Sequence, residues 1–159
     1  MSHCTLAQFY PFDSRRGVAL RFGNTRAGMI YPLLQFDVFN TLITGYAEDV
    51  IMGEFSKDVA LNYKFDHSIL RTTKPKEMDE TKYVEVKWEE ATDTVGSGER
   101  HFRKIDSEKQ YYDFHLSEKS KARDAGYVLA NGTSAADHDG KTRSDVPDIG
   151  CYEYEEKKE

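Results

Sequence analysis

Apolar and polar residues alternate along the first half of the chain, and the alternation recurs. Leu33-Leu34-Gln35-Phe36-Asp37-Val38-Phe39-Asn40 lies over Ala60-Leu61-Asn62-Tyr63-Lys64-Phe65-Asp66-His67, twenty-seven positions later. Leu34, Phe36 and Val38 then meet Leu61, Tyr63 and Phe65, with Gln35 over Asn62 and Asp37 over Lys64 between them. Alternation of this kind marks a strand with one buried face. A repeat in the twenties marks a chain that coils and lays equivalent strands side by side.

The repeat runs on through a bend. Asn40-Thr41-Leu42-Ile43-Thr44 matches His67-Ser68-Ile69-Leu70-Arg71, and the opening His3-Cys4-Thr5-Leu6-Ala7 matches both. The phase slips by one residue at Asn40, after which Ile43, with its equivalents Leu6 and Leu70, faces inward. A one-residue slip turns every later side chain over. The core face survives only if the chain rounds a corner there, and Asn tolerates the left-handed conformation that such a corner needs. His3 and Asn40 are thirty-seven apart, so the first coil carries a loop insertion, which Gly17, Gly23, Asn24, Gly28 and Pro32 are placed to build. Val18-Ala19-Leu20-Arg21-Phe22 and Asp49-Val50-Ile51-Met52-Gly53 read as later strands of successive coils.

At 159 residues the chain is one all-β domain. It divides into about three coils over 1–71, an excursion over 72–100, and a final coil with a closing tail over 101–159. The excursion begins with the charged run Lys74-Pro75-Lys76-Glu77-Met78-Asp79-Glu80. Within it Tyr83-Val84-Glu85-Val86-Lys87-Trp88 alternates, with Val84, Val86 and Trp88 on one face. A strand packed on the side of the coils is expected there, and a last strand region that includes Tyr112-Asp113-Phe114-His115-Leu116.

The tail reads Ser120-Lys121-Ala122-Arg123-Asp124-Ala125-Gly126, then Asp137-His138-Asp139-Gly140-Lys141-Thr142-Arg143, then Pro147-Asp148-Ile149-Gly150-Cys151-Tyr152-Glu153-Tyr154. This order resembles the closing segment of bacterial right-handed parallel β-helix proteins of the pectate-lyase-like superfamily: S-P-A-x-D-x-G, D-x-D-G-x-x-R, D-I-G-A-Y-E. Lys121 departs from the usual Pro, and Arg123 from a usual apolar residue. The resemblance implies a right-handed parallel β-helix of about three coils with a C-terminal cap, from the C-terminal part of a secreted or cell-surface protein that meets polysaccharide. A coil end must be capped, because it otherwise leaves backbone groups unpaired and a core open. Asp124, Gly126, Asp137, Asp139, Gly140, Arg143, Asp148, Gly150 and Tyr152 are the cap residues in this reading. Arg143 offers its fork to Asp124 or Asp148, and Ile149, Tyr152 and Tyr154 plug the core.

Chemistry is harder to assemble. A Ca²⁺ loop from Asp137, Asp139 and Asp145 is the one metal alternative. Its Gly comes at the fourth position, Lys141 fills a ligand slot and the bidentate Glu is missing, which favours a plain turn. Polysaccharide lyases of the resembled fold use an Arg or Lys base and acid-held Ca²⁺. The outward candidates here are Asp37, Lys64, Asp66 and Arg71, with Asp37 and Lys64 expected as a cross-strand ion pair. Converging acids, a metal spacing among the five histidines and a Ser-His-Asp or Cys-His set are not evident, so no catalytic residue is assigned and no cofactor. Tyr10, Phe12, Tyr31 and Tyr46, in loop-like contexts beside Pro11, Pro32 and Gly45, are candidates for stacking on sugar rings.

The function expected is therefore non-catalytic binding, or assistance in processing, of polysaccharide. A fragment of a polysaccharide lyase or glycoside hydrolase with its active site on upstream coils is the alternative, and an adhesin stalk the second. A net charge of −6, with Lys and Arg scattered, speaks against a nucleic-acid partner. No apolar run approaches the roughly 18 residues of a membrane span, and the first residues do not read as a signal peptide. Cys4 and Cys151 are far apart and expected to stay unpaired. Met1 leads almost directly into a strand, so the first coil's apolar end is expected to be open, covered by a second copy or by upstream sequence.

Overall fold

A computed structural model describes residues 1–12, 17–129 and 135–156. The described residues form short strands with almost no helix; a single 3₁₀ turn spans Gly98–His101. In chain order the strands are β1 (Thr5–Gln8), β2 (Leu20–Gly23), β3 (Thr25–Arg26), β4 (Met29–Ile30), β5 (Asp37–Phe39), β6 (Leu42–Gly45), β7 (Ile51–Glu54), β8 (Lys64–Asp66), β9 (Ile69–Leu70), β10 (Tyr83–Val84), β11 (Lys87–Trp88), β12 (Phe102–Asp106) and β13 (Tyr111–Leu116).

Three parallel ladders carry the repeat. A central sheet runs β1-β6-β9-β11, a second runs β10-β8-β5, and β2 pairs with β7. Val38 sits beside Phe65 and Leu42 beside Ile69, the register that the alternation implies. The extra length between His3 and Asn40 includes the antiparallel hairpin β3–β4, with Ala27 (φ +51°) and Gly28 (φ +78°) at its tip. Both tip residues have the positive φ that a two-residue hairpin turn of this hand requires.

Between the second sheet and the central sheet the chain passes the same corner four times. His3, Asn40, His67 and Glu85 occupy it at φ of +48°, +43°, +44° and +48°. Each left-handed residue costs about 1–2 kcal/mol, so the corner must be held. The His3, Asn40 and His67 amides donate to Phe39, Asp66 and Val84 carbonyls of the next pass at 3.0, 3.1 and 2.9 Å. One position on, Cys4 Sγ, Thr41 Oγ1 and Ser68 Oγ each turn back to the carbonyl two residues earlier, at 3.2, 2.7 and 3.0 Å.

Glu85 corrects the reading of the excursion. Tyr83 pairs with Phe65, and Lys87 with Ile69, so 83–88 is a fourth pass through both sheets after a loop over 72–82. The phase slips at Glu85 as at Asn40. Tyr83, Val86 and Trp88 pack inward, while Val84 holds the place of Phe39 and Asp66. Two further details differ. Leu34 is 71% exposed, and the inward face begins at Phe36. Lys64 lies beside Asp37 but bonds Asp66 within its own strand at 2.6 Å, while Asp37 takes Gln35 as its partner.

The central sheet buries both faces. Ile43 and Leu70 point at the other two ladders, into a core with Val38, Val50 and Phe65. Leu42 and Ile69 point the other way, into a second core with Phe9, Phe102, Leu116, Ala122 and Ile149. That second core is the work of the C-terminal segment. β12 and β13 form an antiparallel hairpin, where one more coil was expected, and the tail lies with it over the sheet's outer face. Ile149 is fully buried there; Tyr152 instead stacks on His115 with ring centroids 4.2 Å apart. Ala122 and Ile149 of the tail thus cover a side of the sheet.

Asn40 joins coil and tail. Its amide oxygen accepts Tyr127 N–H at 2.9 Å, and its amide nitrogen donates to Tyr127 O at 2.6 Å and to His3 Nε2 at 3.1 Å. A Cβ on Gly126 would stand 3.0 Å from the Asn40 oxygen and 2.7 Å from Pro147 O. Arg143 pairs with Glu153 at 2.8 Å and donates to the Gly150 and Cys151 carbonyls, so its carboxylate partner is Glu153 where Asp124 or Asp148 was expected. Asp148 accepts the Asp124 and Tyr154 amides; burial still pushes its carboxyl above the usual range. The Asp137 carboxylate accepts the Asp139, Lys141 and Glu153 amides, which closes the turn that Gly140 (φ +83°) completes.

Two outcomes follow. Asn40→Ala strains the corner and leaves Tyr127 unpaired, and urea unfolding should show a loss of about 2–4 kcal/mol. Asn40→Gly, which keeps the φ, should lose less. His3 is 7% exposed, and burial, with Arg143 beside it, lowers it from 6.5 to about 4. Below pH 6.5 the unfolded chain takes up a proton that the folded chain refuses, so stability falls as pH drops from 6.5 towards 4. His3→Gln should flatten that part of a plot of melting temperature against pH.

Candidate functional site

An open cleft of about 800 Å³ lies between the β2–β7 ladder and the β3–β4 hairpin. Arg21, Phe22, Asn24, Arg26, Tyr31 and Glu54 are among the residues that line it. Alternation on β2 decides who stands where: Leu20 and Phe22 face the core, and Arg21 points out beside Met52. Asn24, 3% exposed, is the hinge-pin. Its carbonyl accepts Tyr31 N–H at 2.8 Å and closes the hairpin neck. Its side chain holds Ser56 through both backbone groups, at 2.8 and 2.7 Å, and so fixes the segment after β7. Gly23 permits this, because a Cβ there would stand 2.4 Å from Glu54 O.

Aromatic rings run from the cleft into the core. Phe22 stacks on Phe36 at 5.0 Å and meets Phe55 edge-on at 5.1 Å; Phe55 in turn stacks on Tyr63 at 5.9 Å. Phe55 and Tyr31 keep nearly half their surface in solvent. Arg21 and Glu54 are 3.7 Å apart and both mostly exposed, so the pair contributes little and leaves both groups free to meet a ligand. The lining therefore includes planar donors, a carboxylate acceptor and the Tyr31 ring, groups that can orient a polyhydroxylated molecule. Glu54 is the one carboxylate among the described lining residues, so the paired acids of glycoside hydrolysis are not assembled there.

Of the aromatic candidates, Tyr31 lines the cleft. Tyr10 and Phe12 are exposed and pack edge-on at 5.5 Å, apart from it. Tyr46 is not available for stacking: it packs on Phe9 at 5.0 Å and its hydroxyl bonds Ser107. Asp137 is engaged by backbone amides, and Asp139 bonds His115 at 2.8 Å. Among the described residues no group of three His, Cys, Asp or Glu is arranged to hold a metal ion, and the Asp137, Asp139, Asp145 alternative gains no support.

A second polar cluster was missed in the sequence. The outer row of the central sheet runs Ala7, Thr44, Arg71, Glu89. The last three converge: Glu89 Oε1 accepts Thr44 Oγ1 at 2.8 Å and Arg71 Nη1 at 2.6 Å. Glu89 Oε2 meets His101 Nε2 at 2.8 Å, and His101 Nδ1 meets Ser120 Oγ at 2.8 Å. Burial pushes the Glu89 carboxyl up, but its bonds from His101, Arg71 and Thr44 outweigh that and hold it at about 2. The Ser-His-Glu order resembles a nucleophile relay, yet its setting is closed. His101 is fully buried, the Ser120 oxygen also accepts Ala122 N–H, and Arg71 already neutralises Glu89. The cluster ties the C-terminal cover to the sheet. The signal lay in the spacing: Glu89 follows Arg71 as Lys87 follows Ile69.

Comparison of the chain with protein-family models, curated proteins and solved structures returned no match. The described helix content includes no segment long and apolar enough to cross a membrane.

Glu89→Ala would leave Arg71 and His101 buried without their carboxylate, at a cost of about 3–5 kcal/mol in denaturant unfolding. The double variant Glu89→Leu with Arg71→Met should recover part of that loss, because it removes both charges.

Proposed function

We propose that this chain is a non-catalytic glycan-binding piece of a secreted or cell-surface protein, built as a right-handed parallel β-helix with the binding cleft on its first coil. The observation that carries the reading is the cleft itself, which Tyr31 lines together with Arg21, Arg26 and Glu54. A sugar ring lays its C–H face on an aromatic ring and spends its hydroxyls on planar donors and acceptors at the edges. Two features support the β-helix: the left-handed corner repeated at His3, Asn40, His67 and Glu85, and parallel ladders that keep one register through it. The resemblance of the tail points to polysaccharide from a separate direction.

A glycan array probed with the full chain tests this, followed by affinity electrophoresis in gels containing the retained polysaccharide. Tyr31→Ala and Arg26→Ala change exposed side chains and should leave the fold intact while each weakens retention about tenfold. Tyr46→Phe should bind as the parent chain does. Failure to retain any glycan, or undiminished binding by both cleft variants, would remove the proposal.

A further inference from the structure

Cys4 and Cys151 stand near the two ends of the sequence, and the fold brings them to one place. Cys151 N–H donates to Thr5 Oγ1 at 3.1 Å, across 146 residues. Gly150 lies so close that a Cβ there would stand 2.7 Å from the same oxygen. Cys4 immediately precedes Thr5, and its carbonyl accepts Leu42 N–H at 2.9 Å, which anchors it at the start of β1. Its thiol rests on Ser2 O at 3.2 Å. The backbone contacts of Gly150 and Cys151 with Thr5 thus set Cys151 against the residue that follows Cys4. Both cysteines are free and only partly buried.

We propose that Cys4 and Cys151 form a redox clasp, in which a small disulfide oxidant joins the two thiols and ties β1 to the C-terminal cover. With oxidised glutathione, one thiolate attacks a glutathione sulfur and expels the other glutathione as a thiolate. The second cysteine thiolate then attacks the protein sulfur of that mixed disulfide and expels the remaining glutathione. Two protein thiols lose two electrons and two protons; one oxidised glutathione becomes two reduced ones. Closing the bond requires the Cα atoms to lie within about 7 Å and the Cys4 side chain to leave Ser2 O. Burial pushes the Cys151 thiol up, so closure runs faster as pH rises.

The test treats the full chain with oxidised glutathione, folded and in urea, and follows intact mass after alkylation. The expected product is a monomer short of two hydrogens and free of glutathione, formed faster by the folded chain than by the unfolded one. It should melt higher, return to the parent value on reduction with dithiothreitol, and be absent from Cys4→Ser and Cys151→Ser. Stable glutathione adducts, intermolecular dimers, closure no faster than in urea, or a lower melting temperature in the closed form would each overturn the clasp.

Discussion

The fold depends on a one-residue slip in the in-and-out alternation, made at the same corner on every pass. Without it the apolar residues of one ladder and those of the next would point to opposite sides. With it, Val38 and Ile43 share one core across Asn40, as Phe65 and Leu70 do across His67. The slip requires a left-handed residue, and four of them in a stack are an unfavourable investment that only mutual support sustains. The support is local: corner amides donate to the adjacent pass, and Thr41 and Ser68 turn their hydroxyls back over the bend.

The same geometry explains where the C-terminal segment goes. A sheet whose outer face includes Leu42 and Ile69 cannot leave that face in water. β12, β13 and Ile149 supply the missing apolar surface. Two groups of polar contacts help to position the cover. At one, Asn40 receives Tyr127; at the other, Glu89 gathers Thr44, Arg71 and His101. Buried charge of this kind is costly to desolvate, and Glu89 offsets that cost with bonds to Thr44, Arg71 and His101.

Much of this was legible in the sequence wherever the repeat was regular. The twenty-seven-residue offset located β5, β6, β8 and β9 with their register, and the slip located the corner. Where the period changed, legibility failed. The fourth pass returns after eighteen residues, so Glu85 and Glu89 fell within an excursion and drew no role. The tail's residues were identified as structural parts, but their partners were not, because Arg143 meets Glu153 through tertiary placement that spacing does not encode. The cleft was half visible. Tyr31 stood out as a loop aromatic, whereas Arg21, Asn24 and Arg26 acquire their roles only when the β3–β4 hairpin folds over β2. Tyr46 misled for the opposite reason: a loop-like context beside Gly45 conceals a ring that packs on Phe9.

The central claim is that the cleft beneath this hairpin takes a glycan while the rest of the molecule serves as scaffold. An amide-resolved NMR titration of the isotope-labelled chain with an oligosaccharide fragment of a retained glycan tests it most directly. The account predicts saturable shift changes confined to residues 20–33 and 52–56, with the corner and the C-terminal cover unmoved. Changes centred on Tyr10 and Phe12, on the tail, or on no contiguous surface would contradict it.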